Sequence, residues 1–241
     1  MKILALDSSG LVASAAIVED DVLIAEYTTD YKKTHSQTLL PMLDEIRQMI
    51  DLDLHTIDVI AISAGPGSFT GLRIGAATAK EVPTLEGLAF NLWGTDKLVC
   101  PIMDARRNQV YTGIYEFCKE EIPEKESSEH QLVMHSIKEQ YAIAVDELVE
   151  ELNRLGREVI FLGDGVPVYR EQILQKLKVP CSFAPAANNR QRAASVASLG
   201  AVYYAHGRTV TAAEHEPEYL RKSQAERERE EQEKAAKEAQ A

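Results

Sequence analysis

The apolar positions of the first 63 residues change period twice. Lys2 to Asp7, Ala13 to Glu19 and Val22 to Thr29 are short apolar runs that predict three strands, with Asp20 and Asp21 turning the hairpin between the last two. From His35 the spacing lengthens. In HSQTLLPMLDEIRQMI, Leu39, Leu43, Ile46 and Ile50 recur at helical intervals, and Met42 and Met49 widen the stripe, so an amphipathic helix is predicted. Thr34-His35-Ser36-Gln37 reads as its cap, with Thr34 or Ser36 capping and Gln37 reaching back. Pro41 must lie in the first turns or kink the helix. Asp58 to Ser63 is then another buried strand.

The second half repeats this order. VCPIMDARRNQVYTGIYEF predicts a strand ending at Asp104, a polar turn and a second strand, as ILALDSSGLVASAAIVE does around Asp7. A polar stretch, EEIPEKESSEH, and a short strand at Gln131 to His135 precede the amphipathic helix VDELVEELNRLG. EVIFLGDGVPVYREQI then matches DVIAISAGPGSFTGLRI as strand, glycine turn and helix. Two copies of one βββαβα unit predict an α/β protein of two duplicated mixed-sheet lobes facing across a cleft. The boundaries expected are 1–96 for the first lobe and 97–220 for the second. The helix SVASLGAVYYAHG is expected to pack on the second lobe, and 221–241 is a charged tail, solvated or disordered.

At 241 residues and 45% hydrophobic, with no apolar run of membrane-spanning length, the chain has enough core to fold as a soluble protein. Cys100, Cys118 and Cys181 have no paired spacing, which argues against a disulfide framework or zinc site. MKILALDSSG reads as a strand rather than a signal peptide, so the cytoplasm is expected. A net charge of -12 opposes independent binding to a phosphate backbone.

The stretch SAGPGSFTGLRIGAATAK carries a glycine-rich turn, the usual place for a phosphate loop. It fails both templates. Thr70 stands where a dinucleotide fingerprint from Gly65 needs its third glycine, and Thr70-Gly71 stand where a P-loop needs Gly-Lys. Gly71, Gly75 and Ala79 instead recur every fourth residue and leave one face of the expected helix nearly bare. Because each helical glycine costs roughly 1 kcal/mol relative to alanine, a bare face points to close approach by another backbone.

MKILALDSS, KTHSQTLLP, SAGPGSFTGLRIG, VCPIMDARRNQVY, FLGDG and EPEYLRKSQAE, in this order, resemble the bacterial TsaB (YeaZ) family of tRNA threonylcarbamoyladenosine biosynthesis proteins, over nearly the whole chain. The resemblance implies an actin-like (ASKHA, ribonuclease H-like) fold. It also implies a subunit without its own active site that pairs with a TsaD-like catalytic subunit. With a TsaE-like ATPase these transfer a threonylcarbamoyl group to adenosine 37 of tRNA. On this reading the chain has no cofactor of its own, ATP being used by the complex. It meets tRNA only through the complex, forms a homodimer when alone, and meets no membrane. The family's pairing through first-lobe helices implies an interface of Leu39, Met42, Leu43, Ile46, Gly71, Arg73, Gly75 and Ala79. The alternative for the residues themselves is ordinary packing within the lobe.

The residues also speak against catalysis. An actin-like ATPase wraps its phosphates in two bare turns. Asp7-Ser8-Ser9-Gly10 suits this, but Asp104-Ala105-Arg106-Arg107-Asn108 has no glycine. His35, His55, His130, His135, His206 and His215 stand apart, so no metal site is expected. Ser68 lacks the flanking glycines of a nucleophile elbow. No catalytic residue is therefore assigned. A second function remains open, a nucleotide-binding regulator without turnover, with Asp7, Ser9 and Gly165 as the cofactor-binding candidates. Finally, the family's helix runs beyond GLRIGAATAK and is followed by a strand before a segment like VPTLEGLA, so roughly 10 to 15 residues are expected to be missing between Lys80 and Val82.

Overall fold

The computed structural model describes residues 1–31, 35–66, 79–121 and 130–207. The first half forms β1 (Lys2–Asp7), β2 (Val12–Glu19), β3 (Val22–Asp30), α1 (His35–Met49), β4 (Val59–Ser63), β5 (Ala79–Val82) and α2 (Thr84–Phe90). The second forms β6 (Leu98–Asp104), β7 (Gln109–Glu121), β8 (His130–Ala144), α3 (Val145–Leu155), β9 (Val159–Leu162), α4 (Val166–Lys176), β10 (Cys181–Phe183) and α5 (Ala193–Ala205).

The duplication is visible in the strand order. One sheet runs β3-β2-β1-β4-β5, and the other, read from β8, runs β8-β7-β6-β9-β10. In each, the first three strands are antiparallel neighbours, and the fourth and fifth add in parallel beside the first. This is the duplicated α/β architecture of actin-like lobes. β1 and β4 are buried on both faces, which is why they read as near-continuous apolar runs. Asp20 and Asp21 take φ of 47° and 63°, the left-handed pair of a tight hairpin turn, and Glu19 pairs with Val22 across it.

The helices are exchanged between the halves. On one face of the first sheet, Leu4, Leu6, Ala13, Ala15 and Ile17 meet Leu39, Met42 and Ile46 of α1. On the other, Ile3, Ala5, Ala16, Val18, Val59, Ala61 and Val82 meet Ala193, Val196, Ala197 and Leu199 of α5. The helix expected on the second lobe therefore packs on the first. It is apolar almost all round, so its pattern carries no information about which sheet it covers, and α1 leaves one face of the first sheet open. Reciprocally, Leu85, Leu88 and Ala89 of α2 pack with Val99, Met103, Tyr115 and Leu162 of the second sheet. Helices α3 and α4 cover its opposite face.

Two further expectations are corrected. Ala79 is not on a helix. It begins β5, opposite Ile60, and the chain runs on through Lys80, Glu81 and Val82 paired in parallel with β4. The fifth position of the sheet is thus filled by residues the chain has. The third strand of the second half is not a short Gln131–His135 segment but the fifteen-residue β8, an edge strand whose exposed polar residues hide its length from any apolar pattern.

Candidate functional site

One side chain, Gln191, lies between the turn that follows β1 and the end of β6. In the first turn Asp7 Oδ1 accepts the Ser9 amide N–H at 2.9 Å and the Ser9 hydroxyl at 2.7 Å, and Asp7, Ser8 and Ser9 are all buried. A Cβ at Gly10 would stand 2.8 Å from Nε2 of Gln191, so the bare backbone here is occupied by that amide. Gln191 is buried, and its Nε2 also lies 3.5 Å from Met103 Sδ at the end of β6.

The second turn is built differently. Arg106, Arg107 and Asn108 take φ of 63°, 56° and 56°, three consecutive non-glycine residues in left-handed backbone. Such residues cost roughly 1 to 2 kcal/mol each, and hydrogen bonds hold them. Asp104 Oδ1 accepts the Arg106 amide at 2.8 Å and the Tyr169 hydroxyl at 2.8 Å. Ala105 N–H donates to Gln109 O at 3.0 Å, and Val145 N–H donates to Asn108 O at 3.1 Å. The Arg106 guanidinium lies 3.2 Å from Asp104 Oδ2 and is otherwise open to solvent.

The turn between β9 and α4 forms a third wall. Gly163 sits at φ 106°, and a Cβ there would overlap the Ile102 carbonyl oxygen. Gly165 N–H donates to that same carbonyl at 3.0 Å, and Asp164 Oδ1 accepts the Asp104 amide at 3.1 Å. The loop before α5 then closes over the cleft. Arg190 donates to Asp30 Oδ2 at 3.0 Å and to Gly163 O at 3.1 Å, while Arg192 pairs with Glu26. Asn91 anchors the loop from below through its amide, which donates to Arg190 O at 2.6 Å.

Burial pushes the Asp164 carboxyl above its ordinary value; the Asp104 amide it accepts and the Arg190 charge oppose this, while the carboxylate charges of Asp104 and Asp30 add to it. Tyr169 is pushed up to about 12, by burial first and then by its bond to Asp104. Cys100 is likewise raised to about 12 by burial, which leaves its thiol protonated and unreactive.

Of the cofactor-binding candidates, Asp7 and Ser9 are joined to each other, and Gly165 is spent on the Ile102 carbonyl. Of the expected interface, Leu39 is 1% exposed, Met42 and Ile46 are buried, and Leu43 packs beside them. These four belong to the first-lobe core, because the side of α1 that carries the stripe is the side turned to the sheet. Gly71, Arg73 and Gly75 lie outside the described residues, as do Ser68 and the side chains of His35 and His130. Gln191 and Arg190 were not read as site residues, since a polar run such as NNRQR looks like a solvated loop in sequence. His135 pairs with Glu120 at 2.7 Å. Among the described residues no group of three or more His, Cys, Asp or Glu is placed to hold a metal, and no helix is long and apolar enough to cross a membrane.

Residues 23–229 match the family model of TsaD, tRNA N6-adenosine threonylcarbamoyltransferase. The chain is 33% identical to the tRNA threonylcarbamoyladenosine biosynthesis protein TsaB of Bacillus subtilis, over 94% of this chain and 96% of the relative. It is 28% identical to TsaB of Escherichia coli, over 92% and 95%. The Bacillus alignment runs over 240 positions while using 94% of this chain, so the relative has residues with no counterpart here. A crystal structure of a Pseudomonas aeruginosa protein described as similar to the peptidase YeaZ superposes with a TM-score of 0.69 at 24% identity, over 91% of this chain and 99% of that one.

Proposed function

The chain belongs to the TsaD-type family, among the TsaB proteins of tRNA threonylcarbamoyladenosine biosynthesis, and from that membership we propose that it is a non-catalytic subunit pairing with a TsaD-like catalytic subunit. The observation that carries this reading is the state of the cleft. Gln191 occupies the bare backbone at Gly10, and Asp104 and Asp164 accept backbone amides. An actin-like ATPase would place phosphates and a magnesium ligand there. The same arrangement speaks against the alternative of a nucleotide-binding regulator. The chain has no cofactor of its own, and ATP is used by the complex, which includes a TsaE-like ATPase. tRNA is reached only through that complex, in the cytoplasm, and the chain alone forms a homodimer.

On this reading the pairing surface includes the exposed apolar residues of α1, Leu40, 55% exposed, and Met49, 78% exposed at its C-terminal end. The test is co-purification with a TsaD-like subunit, and threonylcarbamoyladenosine formation on tRNA with and without this chain. Leu40→Asp with Met49→Asp is expected to weaken association at least about tenfold, equivalent to roughly 1.4 kcal/mol, without lowering the melting temperature. ATP hydrolysis by the isolated chain that Asp7→Ala abolishes would overturn the proposal.

A further inference from the structure

A cavity of about 440 Å3 opens between α2, the end of α5 and the β7–β8 hairpin. Phe90, Leu132, Met134, Val202 and Tyr203 form its apolar wall, and Trp93, 49% exposed, lines it as well. The Trp93 ring is held by its neighbours, with centroids 4.8 Å from Phe90 and 5.3 Å from Phe117, yet half of it remains open. Three carboxylates, Glu86, Glu120 and Glu139, also line it, Glu120 paired with His135 and Glu86 accepting the Tyr203 hydroxyl. An apolar floor with an acidic border suits a segment that pairs large apolar side chains with basic ones.

This chain has such a segment, and it starts at the cavity. α5 ends at Ala205, and the next residue, His206, lines the same cavity, so the chain leaves the helix at its edge. In residues 208–241, Tyr219 and Leu220 are the one adjacent pair of large apolar residues in a charged sequence, and Arg221 and Lys222 follow directly. The thirteen Cα-to-Cα steps from His206 to Tyr219 reach at most about 45 Å when extended, ample for a return to the cavity. A short tether also keeps the segment at roughly millimolar effective concentration, which favours it over a second copy of the chain.

We propose that Tyr219 and Leu220 of the chain's own C-terminal segment dock in this cavity, with Arg221 and Lys222 against Glu86, Glu120 and Glu139. The segment is then a strap that joins the end of α5 to the second sheet and covers an apolar surface shared by both lobes. Trp93 is the sole tryptophan of the chain and reports directly on this site. Acrylamide quenching of its fluorescence is measured on the full chain, on the full chain with Tyr219→Ser and Leu220→Ser, and on chains ending after Gly207 or Lys222.

The serine pair and the chain ending after Gly207 are expected to raise the quenching constant about twofold with a red-shifted emission, as a covered indole becomes open. The chain ending after Lys222 should match the full chain. Far-UV circular dichroism checks folding, and the serine pair decides the matter if the shorter chain does not fold. Unchanged quenching in the serine pair overturns the proposal. So does shielding that disappears on dilution, because the occupant would then be a second copy.

Discussion

The turn after β1 and the turn after β6 hold the same place in two copies of one topology, and they meet opposite fates. The first is buried and keeps a glycine, Gly10, whose open side is filled from within by Gln191. The second has lost glycine, holds three residues in left-handed backbone, and turns Arg106 and Arg107 to solvent. One turn is closed against ligands by the protein's own loop, and the other is braced by Asp104 and Tyr169 into a shape its residues disfavour. Duplication preserved the backbone path while the two copies diverged in what that path presents.

The largest expected effect contrasts two glycines. Gly163→Ala forces a Cβ onto the Ile102 carbonyl at φ 106°, with no flexible atom to yield, and should cost roughly 3 kcal/mol or more in urea denaturation. Gly10→Ala meets only the end of the Gln191 side chain and should cost about 1 kcal/mol or less. Equal costs would mean that Gln191 is as rigid as backbone. Next in size, Gln191→Ala empties a buried site and should lose roughly 1 to 3 kcal/mol. Titration with Mg-ATP sharpens this, since binding by the variant and not the parent would identify Gln191 as the plug.

A smaller effect of opposite sign is expected in the second turn. Arg107→Gly relieves a left-handed residue and should gain about 1 kcal/mol, read as a higher melting temperature. No gain would mean that the turn is not strained at Arg107. The smallest effect depends on pH. Burial raises the Asp164 carboxyl in the folded state, so its contribution is most favourable below the unfolded value of about 3.9 and is lost as pH rises through the folded value. Asp164→Asn keeps the acceptor for the Asp104 amide without the charge. Its melting temperature should match the parent near pH 3.5 and exceed it at pH 7.5; the reverse order would reverse the assigned cause.

How legible an element was depended on whether its pattern was one-sided. α3 reads plainly because Val145, Leu148, Val149 and Leu152 form a single buried stripe, and Gly156 ends it in the left-handed conformation. β5 and β10, with four and three residues, are too short to show any period, and β8 is a polar edge strand. At the candidate site, Asp7 and Ser9 were readable from the turn they form, whereas Gln191 was not, because a buried glutamine in a polar loop has no local signature.

By itself the sequence determined the order of β1 to β4 with α1 and of β6, β7, α3, β9 and α4, the duplication, the hairpin at Asp20 and Asp21, and the family to which the chain belongs. These follow from periodicity, turn residues and extended motifs, which are local properties of the chain. Only the tertiary structure decided that α2 and α5 change lobes, that Leu39, Met42 and Ile46 face inward, and that Gln191 closes the cleft. An apolar stripe records that a face is buried but not against what. The partner is chosen by which sheet face remains uncovered once every other element has packed.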